Sequence, residues 1–480
     1  MTISQSSQAP IVEAQHFFNE GRLEAALDAS WKALAVDPDS VGAKSLLAKL
    51  LQRVPTAVDS SREKDLLRLL RDPDVDPAQV SKAGWHLVST AIGTVRDPLA
   101  LATALERNRF AQALLEETYV AWPDAERLLT PVRRWLLIER LWPRFPRLAA
   151  ALIAQAHHNG GAWLFNSEEE ERLKEAAEFR SAYFPAHEAE LRIGTGENPV
   201  ARQYETWPFP QWNRVTRPVP TTLPHVVNRL DPGSGGELPL KAKLLVAGCG
   251  TGREAAMAAL RYPDAHVTAI DISMTSLDYA REKCRDLPIE FQQLDLREVH
   301  RRGKSFDAIF CSGVLHHIPD PEAAWRTLVD VLRPGGVMRV ALYSRIGRLK
   351  IAAAKKMIAD LICEPHDDRL LRTIRRRLLE AAPGLLADAF DFYTLAGVHD
   401  MLLNRHEDPF DMPRIGRALN MLGLRLLTMN FPVAVAEAQY RKDHPQDPHL
   451  RDLDTIGAFE QRNPFLFRSM YNFWCRKPCL

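Results

Sequence analysis

The sequence predicts an α/β fold, a doubly wound parallel sheet, preceded by a region that is helical throughout. Three observations predict it. The apolar run Leu244 to Ala247 leads into glycines at every second position, Gly248, Gly250 and Gly252. The next apolar run, from His266, ends in an acid, Asp271. Beyond Lys241 short apolar segments alternate with helical ones, as in strands joined by crossover helices, with strands expected at 243–247, 266–270, 289–294, 306–311 and 336–343. Alternate glycines let the backbone turn sharply out of a strand and approach a ligand, with a helix N-terminus behind it. An acid about 20 residues further on can hold two vicinal ribose hydroxyls. The pair implies a nucleoside cofactor at the carboxyl edge of the sheet.

The spacing argues against a dinucleotide, because that fingerprint wants its last glycine where this chain has Arg253. Gly248, Gly250 and Gly252 instead resemble the first motif of class I S-adenosylmethionine-dependent methyltransferases. The resemblance continues through Asp295 in Phe291–Leu296, through Phe306–Asp320 and through Leu332–Gly336. It implies a Rossmann-like sheet of seven strands with S-adenosyl-L-methionine as cofactor. On that reading the backbone of Ala247, Gly248, Cys249, Gly250 and Gly252 packs against the methionine part and ribose. Asp271, with Ile272 beside it, takes the ribose hydroxyls; Asp295 accepts from the adenine amino group, and Leu296 supplies a backbone donor. Cys311 and Ser312 follow the fourth strand, where the methyl-bearing sulfonium faces the acceptor. Both acids also stand at strand-to-helix junctions, where helix capping is the alternative reading.

Methyl transfer is an in-line displacement on an activated carbon, so alignment and a dry pocket suffice and no nucleophilic residue is required. Two candidates for a catalytic role remain. His317, in the pair His316–His317, titrates near neutrality and could act as a base, although such a pair often only packs a turn. Tyr343 stands at the carboxyl end of the fifth strand, where open sheets bind ligands. For the acceptor, Tyr204 and Trp207 could form an aromatic lid or simply pack between domains. Tyr393, His406 and Glu407, with Asp391, cluster in a helical cap. An Asn/Asp-Pro-Pro-Tyr sequence is missing after the fourth strand, which favours an oxygen or carbon acceptor over amino methylation by that device. No metal site is expected.

Around this core, Ile11–Gln52 reads as helical, and Ala26, Ala33 and Pro38 fall where a tetratricopeptide repeat places small packing residues and its closing proline. One repeat cannot bury its own apolar face, so helices running to about Tyr183 are expected to complete the stack. An aromatic cluster, Gln203–Trp212, is followed by Thr216–Leu240, rich in proline and glycine and expected to be an irregular connector. The expected units are 1–200 helical, 201–240 connector, 241–345 cofactor-binding core, 346–410 helical cap, and 411–480 the end of the sheet, with a strand at 424–429 and an antiparallel one at 468–475. The order of these parts, with Glu126–Arg133, Leu342–Ser344, Asp391–Tyr393 and Met470–Trp474, resembles bacterial tetratricopeptide-repeat methyltransferases, from which His157–Gly161 departs. A protein partner or protein substrate on the helices is one implied role; a lid over a small-molecule acceptor is another. A non-catalytic cofactor-binding scaffold is disfavoured by the intact glycines and acids.

Composition sets bounds on partners. With 480 residues two or three domains are expected, and a net charge of +1 gives no general footprint for nucleic acid or an anionic membrane. Six cysteines without repeated spacing read as reduced thiols, and the absence of a long apolar run or a basic leader points to a cytoplasmic protein. The basic run Arg372–Arg377 is expected to be a solvated helix face.

Overall fold

The computed structural model of the protein describes residues 5–175, 199–303, 305–363 and 366–479. The expected helical stretch between Glu175 and Tyr183 lies outside them. Up to Glu175 every regular element is helical. Polar residues set the starts: Ser40, Asp76, Asp97 and Asn108 each accept a backbone N–H of the helix that follows. Leucines and aromatics between these caps form one core, in which Leu47, Leu50, Leu66, Leu70, Trp85 and Leu114 are fully buried. Helix Pro77–Ile92 crosses helix Arg109–Glu117 at Gly84, where a Cβ would lie 2.7 Å from Leu114.

The strands are β1 (Lys243–Ala247), β2 (His266–Asp271), β3 (Ile289–Gln293), β4 (Phe306–Ser312), β5 (Leu332–Tyr343), β6 (Arg425–Asn430) and β7 (Met470–Arg476). They form one seven-stranded sheet in the order β3-β2-β1-β4-β5-β7-β6. β1 to β5 pair in parallel, and β7 runs antiparallel to both β5 and β6. This is the expected class I methyltransferase sheet, with the fifth strand starting earlier, at Leu332. Leu244 faces Val267 on one side and Ala308 on the other, so β1 is central; its Leu244–Ala247 are all fully buried. A strand covered on both faces needs an unbroken apolar run, and β1 has one.

Two sequence expectations fail in informative ways. Thr216–Leu240 contains a helix, Leu223–Leu230, whose Thr222 side chain accepts from the His225 N–H. Leu223, Val227 and Leu238 are buried with β1 residues, so this stretch is part of the sheet's own core. Its prolines and glycines sit mainly at the ends and first turn of the helix, where they are compatible with order. The basic run is not a solvated face either. Within helix Asp368–Ala381, Arg375 is 1% exposed and binds the Phe392 and Ala162 carbonyls and Glu126. Arg372 and Arg376 donate to the carbonyls of Gly161 and Phe165. These arginines fasten the cap, with its helices Leu349–Met357, Asp368–Ala381 and Leu395–Leu403, to the N-terminal helices. Among the described residues no helix is long and apolar enough to cross a membrane.

Candidate active site

The strand order reverses between β1 and β4, and in an open parallel sheet the crevice outside the carboxyl ends at such a point receives ligands. Here it is a cavity of about 1190 Å³. Its walls come from the residues that follow β1, β2, β3 and β4, from the end of β5, from the helix Pro199–Thr206 and from the cap. The volume lies above the usual range for one small ligand, about 300–1,000 Å³, and leaves room for an acceptor beside a nucleoside.

The glycine loop is shaped by the protein's own packing. Gly248, Gly250 and Gly252 have φ of 68, 50 and 85°. A Cβ on Gly248 would strike Val314, one on Gly250 would lie 2.7 Å from the Phe209 carbonyl, and one on Gly252 2.7 Å from Ala280. Phe209 and Pro210 therefore strap the loop, and Thr251 Oγ1 donates to the Pro210 carbonyl while Trp212 Nε1 donates to that of Thr251 at 2.9 Å. Asp271, buried at the end of β2, accepts from Gly250 N at 2.7 Å and from Ser273 N at 2.9 Å, one N–H on each oxygen. Each oxygen keeps a lone pair for a ribose hydroxyl. Burial pushes its carboxyl up, and the N–H groups of Ser273 and Gly250 oppose that.

Asp295 combines its two readings. It lines the cavity, and it also accepts from the Arg297 N–H at 2.9 Å and from the Arg297 guanidinium. Burial raises its carboxyl, and Arg297 outweighs that and holds it below the usual range. Ser312 donates to Glu254 at 2.8 Å, and Arg339 pairs with the same Glu254 oxygen at 3.2 Å.

On the wall nearest the cap, Tyr204 donates to Asp400 Oδ1 at 2.8 Å, and Asn404 donates to both of them. Tyr343 reaches the other Asp400 oxygen at 3.5 Å. Burial keeps both phenols neutral by raising them well above their ordinary value. His317 Nδ1 lies 2.8 Å from the His406 carbonyl and donates its N–H to it, which leaves Nε2 with a lone pair. Burial lowers the His317 imidazole, so the neutral form is favoured. His316 is structural: it stacks on Tyr343 at 3.7 Å and its Nδ1 accepts from the Tyr343 backbone N–H.

Of the residues singled out from sequence, Gly248, Cys249, Gly250, Asp271, Ile272, Asp295, Leu296, Ser312, Tyr204, His317, Tyr343 and His406 all line this one cavity. Ala247, Gly252 and Cys311 do not. Ala247 and Cys311 turn into the apolar core, since alternate residues of a strand face opposite ways, and Gly252 is spent on helix packing against Ala280. Trp207, Tyr393 and Glu407 also lie outside the walls. Trp207 stacks on His399 at 4.1 Å, Tyr393 donates to the Ala387 carbonyl, and Glu407 pairs with Arg348 and Lys355. Sequence reasoning missed Arg253, Glu254, Arg339 and Asp400 on the walls. Arg253 and Glu254 adjoin the glycine loop and were legible; nothing in the sequence joins Asp400 to Tyr204.

Asp391, within the cap, carries a pH signature. Burial, then repulsion from Asp400, pushes its carboxyl up to about 6, with Arg253 and Arg348 opposing. A folded-state pKa above the unfolded value of about 3.9 costs stability that is absent below about pH 4 and complete above about pH 6. Asp391→Asn is thus expected to raise the thermal midpoint at pH 8 by the equivalent of roughly 3 kcal/mol, and not at pH 4. Equal shifts at both pH values would contradict it.

Comparison with known proteins agrees with this geometry. Residues 244–336 match the family described as "Methyltransferase domain". An uncharacterized protein of Synechococcus sp. is 40% identical over 132 residues, 27% of this chain and 32% of its own. Phosphoethanolamine N-methyltransferase 1 of Arabidopsis thaliana is 32% identical over 127 residues, 26% of each chain. The 27-O-demethylrifamycin SV methyltransferase of Amycolatopsis mediterranei is 35% identical over 127 residues, 25% of this chain and 46% of its own. The chain thus spans about a quarter to a half of the length of these relatives. Among solved structures, PKMT2 from Rickettsia typhi in complex with AdoHcy aligns with a TM-score of 0.39 at 16% identity, covering 50% of this chain and 49% of that one. Residues 244–336 thus match a methyltransferase domain, and they sit at the switch point of a sheet with class I methyltransferase strand order.

Proposed function

We propose that the whole chain is an S-adenosylmethionine-dependent methyltransferase acting on an acceptor enclosed beside the cofactor, with the N-terminal helices, tetratricopeptide-like in pattern, contributing to acceptor or protein recognition. One observation carries the reading. The ribose acid Asp271, the glycine loop and His317 line a single cavity at the carboxyl ends of the parallel strands. The residues fit the cofactor: Asp271 retains acceptor capacity for two hydroxyls, and Asp295 and Leu296 stand where an adenine is expected. When bound, the cofactor supplies a methyl group already activated by positive sulfur.

The chain's own residues align, desolvate and move a proton. His317 Nε2 takes the proton of the acceptor's nucleophilic atom, with the His406 carbonyl fixing the tautomer. Tyr204 and Tyr343, held by Asp400, fix the acceptor's orientation. A small-molecule acceptor with the helices as lid is favoured by one contact set: Ala121 and Ala162 of the helical region are buried in a common core with Trp207 and the cap. A protein acceptor is the second reading, supported by the repeat-like helical pattern alone.

Saturating S-adenosylmethionine or S-adenosylhomocysteine is expected to stabilise the chain by about 2.7 kcal/mol at 100 times the dissociation constant, read as a shift of the melting curve. A curve moved by a nicotinamide dinucleotide and unmoved by either would overturn the proposal. Labelled cofactor, purified protein and lysate from cells lacking it, separated into macromolecules and metabolites, then decide between the two acceptor classes.

A further inference from the structure

The geometry points to Arg253 as the residue that receives the α-carboxylate of the cofactor, held in place by Asp76 of the helical region; this assignment rests on the methyltransferase reading above. Arg253 opens the helix Arg253–Arg261 immediately after Gly252 and lines the cavity with its side chain 45% exposed. Its Nη2 donates to Asp76 Oδ2 at 2.8 Å. That contact occupies one corner of a planar fork; the remaining N–H groups make no hydrogen bond among the described residues, although the charge is also felt by Asp391. Asp271 accepts from Gly250, three positions before Arg253, so a ribose held there would leave the first turn of this helix for the amino-acid arm.

The other arginines of that half of the cavity are committed. Arg297 is tied through two nitrogens to Asp295 at the adenine end, and Arg339 lies between Glu254 and Asn472. Arg405 stands on the acceptor wall, beside His406. A carboxylate entering a largely enclosed site needs a charged donor, and a guanidinium with a free edge at a helix N-terminus is the best match.

Asp76 is built to hold that edge in place. It is 4% exposed, and its other oxygen caps the helix Pro77–Ile92 by accepting from Ala78 N at 3.0 Å. Its own N–H donates to Thr216 Oγ1 at 2.9 Å. Asp76 is a positioning residue: it touches no cofactor and acts through Arg253. The helical region then sets cofactor affinity as well as enclosing the acceptor.

Two ligands separate this role from a general loosening of the pocket: S-adenosylhomocysteine, and S-adenosyl-3-thiopropylamine, the same molecule without its carboxylate. Calorimetry on the full chain is expected to show that Arg253→Gln weakens the first by about 10- to 100-fold and the second by less than about threefold. Arg253→Lys should recover part of the loss. Asp76→Asn, which keeps the helix cap, should weaken S-adenosylhomocysteine alone, and should add nothing in the Arg253→Gln background. Equal losses for both ligands, no loss with Arg253→Gln, or an Asp76→Asn effect that persists without Arg253 would overturn the assignment. Failure of the parent chain to bind either ligand would instead overturn the methyltransferase reading itself.

Discussion

Asp271→Ala is expected to weaken S-adenosylhomocysteine binding by about 30-fold or more while leaving a folded protein. The carboxylate sits between the glycine loop and the next helix, accepting from Gly250 N and Ser273 N. A ribose diol bound to the remaining lone pairs makes charge-assisted hydrogen bonds of about 2 kcal/mol in sum. Alanine removes these and also leaves the Gly250 and Ser273 N–H groups without an acceptor, so the loop that shapes the site loosens. The cost to the fold is smaller, about 1–2 kcal/mol, because burial disfavours the charged form of this acid and its removal relieves that. Calorimetric affinity together with the urea midpoint separates the two effects. A folded variant with parental affinity would place the ribose acid elsewhere. Asp271→Asn keeps one acceptor and aims an amide at the other N–H, so an intermediate affinity is expected.

The largest effect on stability is expected at Arg375. Its guanidinium is buried and joins three segments far apart in sequence: Nε donates to the Phe392 carbonyl at 2.8 Å, Nη1 to that of Ala162 at 2.9 Å, and Nη2 to Glu126 at 2.7 Å. Arg375→Ala leaves Glu126 unpaired and two carbonyls unsatisfied, a loss of about 3–5 kcal/mol. Arg375→Lys restores the charge but not the fork and should recover less than half. Urea unfolding of the full chain checks this, and a midpoint unchanged by Arg375→Ala would show that the cap and the helical region are held by apolar packing alone. Because the cap carries Asp400 and His406, the same substitution should loosen the acceptor wall more than the cofactor side.

Most of the proposed cofactor side was legible in sequence because its signals are local. Gly248 to Gly252, Asp271 and Asp295 each stand directly at or after a strand end, and a parallel strand delivers its next residues to the carboxyl edge whatever the rest of the chain does. Cys311, named for its place at the end of the fourth strand, faces the core while Ser312 faces the cavity, as the alternation of faces along a strand requires. The glycines were legible as necessary, but their reason was not: Val314, Phe209 and Ala280, each brought up by another segment, are the residues a Cβ would strike.

The connector and the basic run show the opposite case. Proline and glycine content marks where a helix can start and stop, and it does not reveal that Leu223, Val227 and Leu238 meet β1. Arginines at consecutive positions of a helix point in different directions, so Arg375 can be buried while its neighbour Arg377 stays partly exposed, pairing with Asp360.

By itself, then, the sequence determined the strands of the sheet and the residues at their carboxyl ends where the nucleoside is proposed to bind, since these depend on periodicity and on residues next to strand ends. Tertiary structure alone decided which distant segments meet around the cavity and behind the cap. Tyr204 meets Asp400, Arg253 meets Asp76, and Arg375 meets Ala162, pairs separated by 196, 177 and 213 positions. Contacts at such separation depend on how packed segments meet, and no local pattern of residues encodes them.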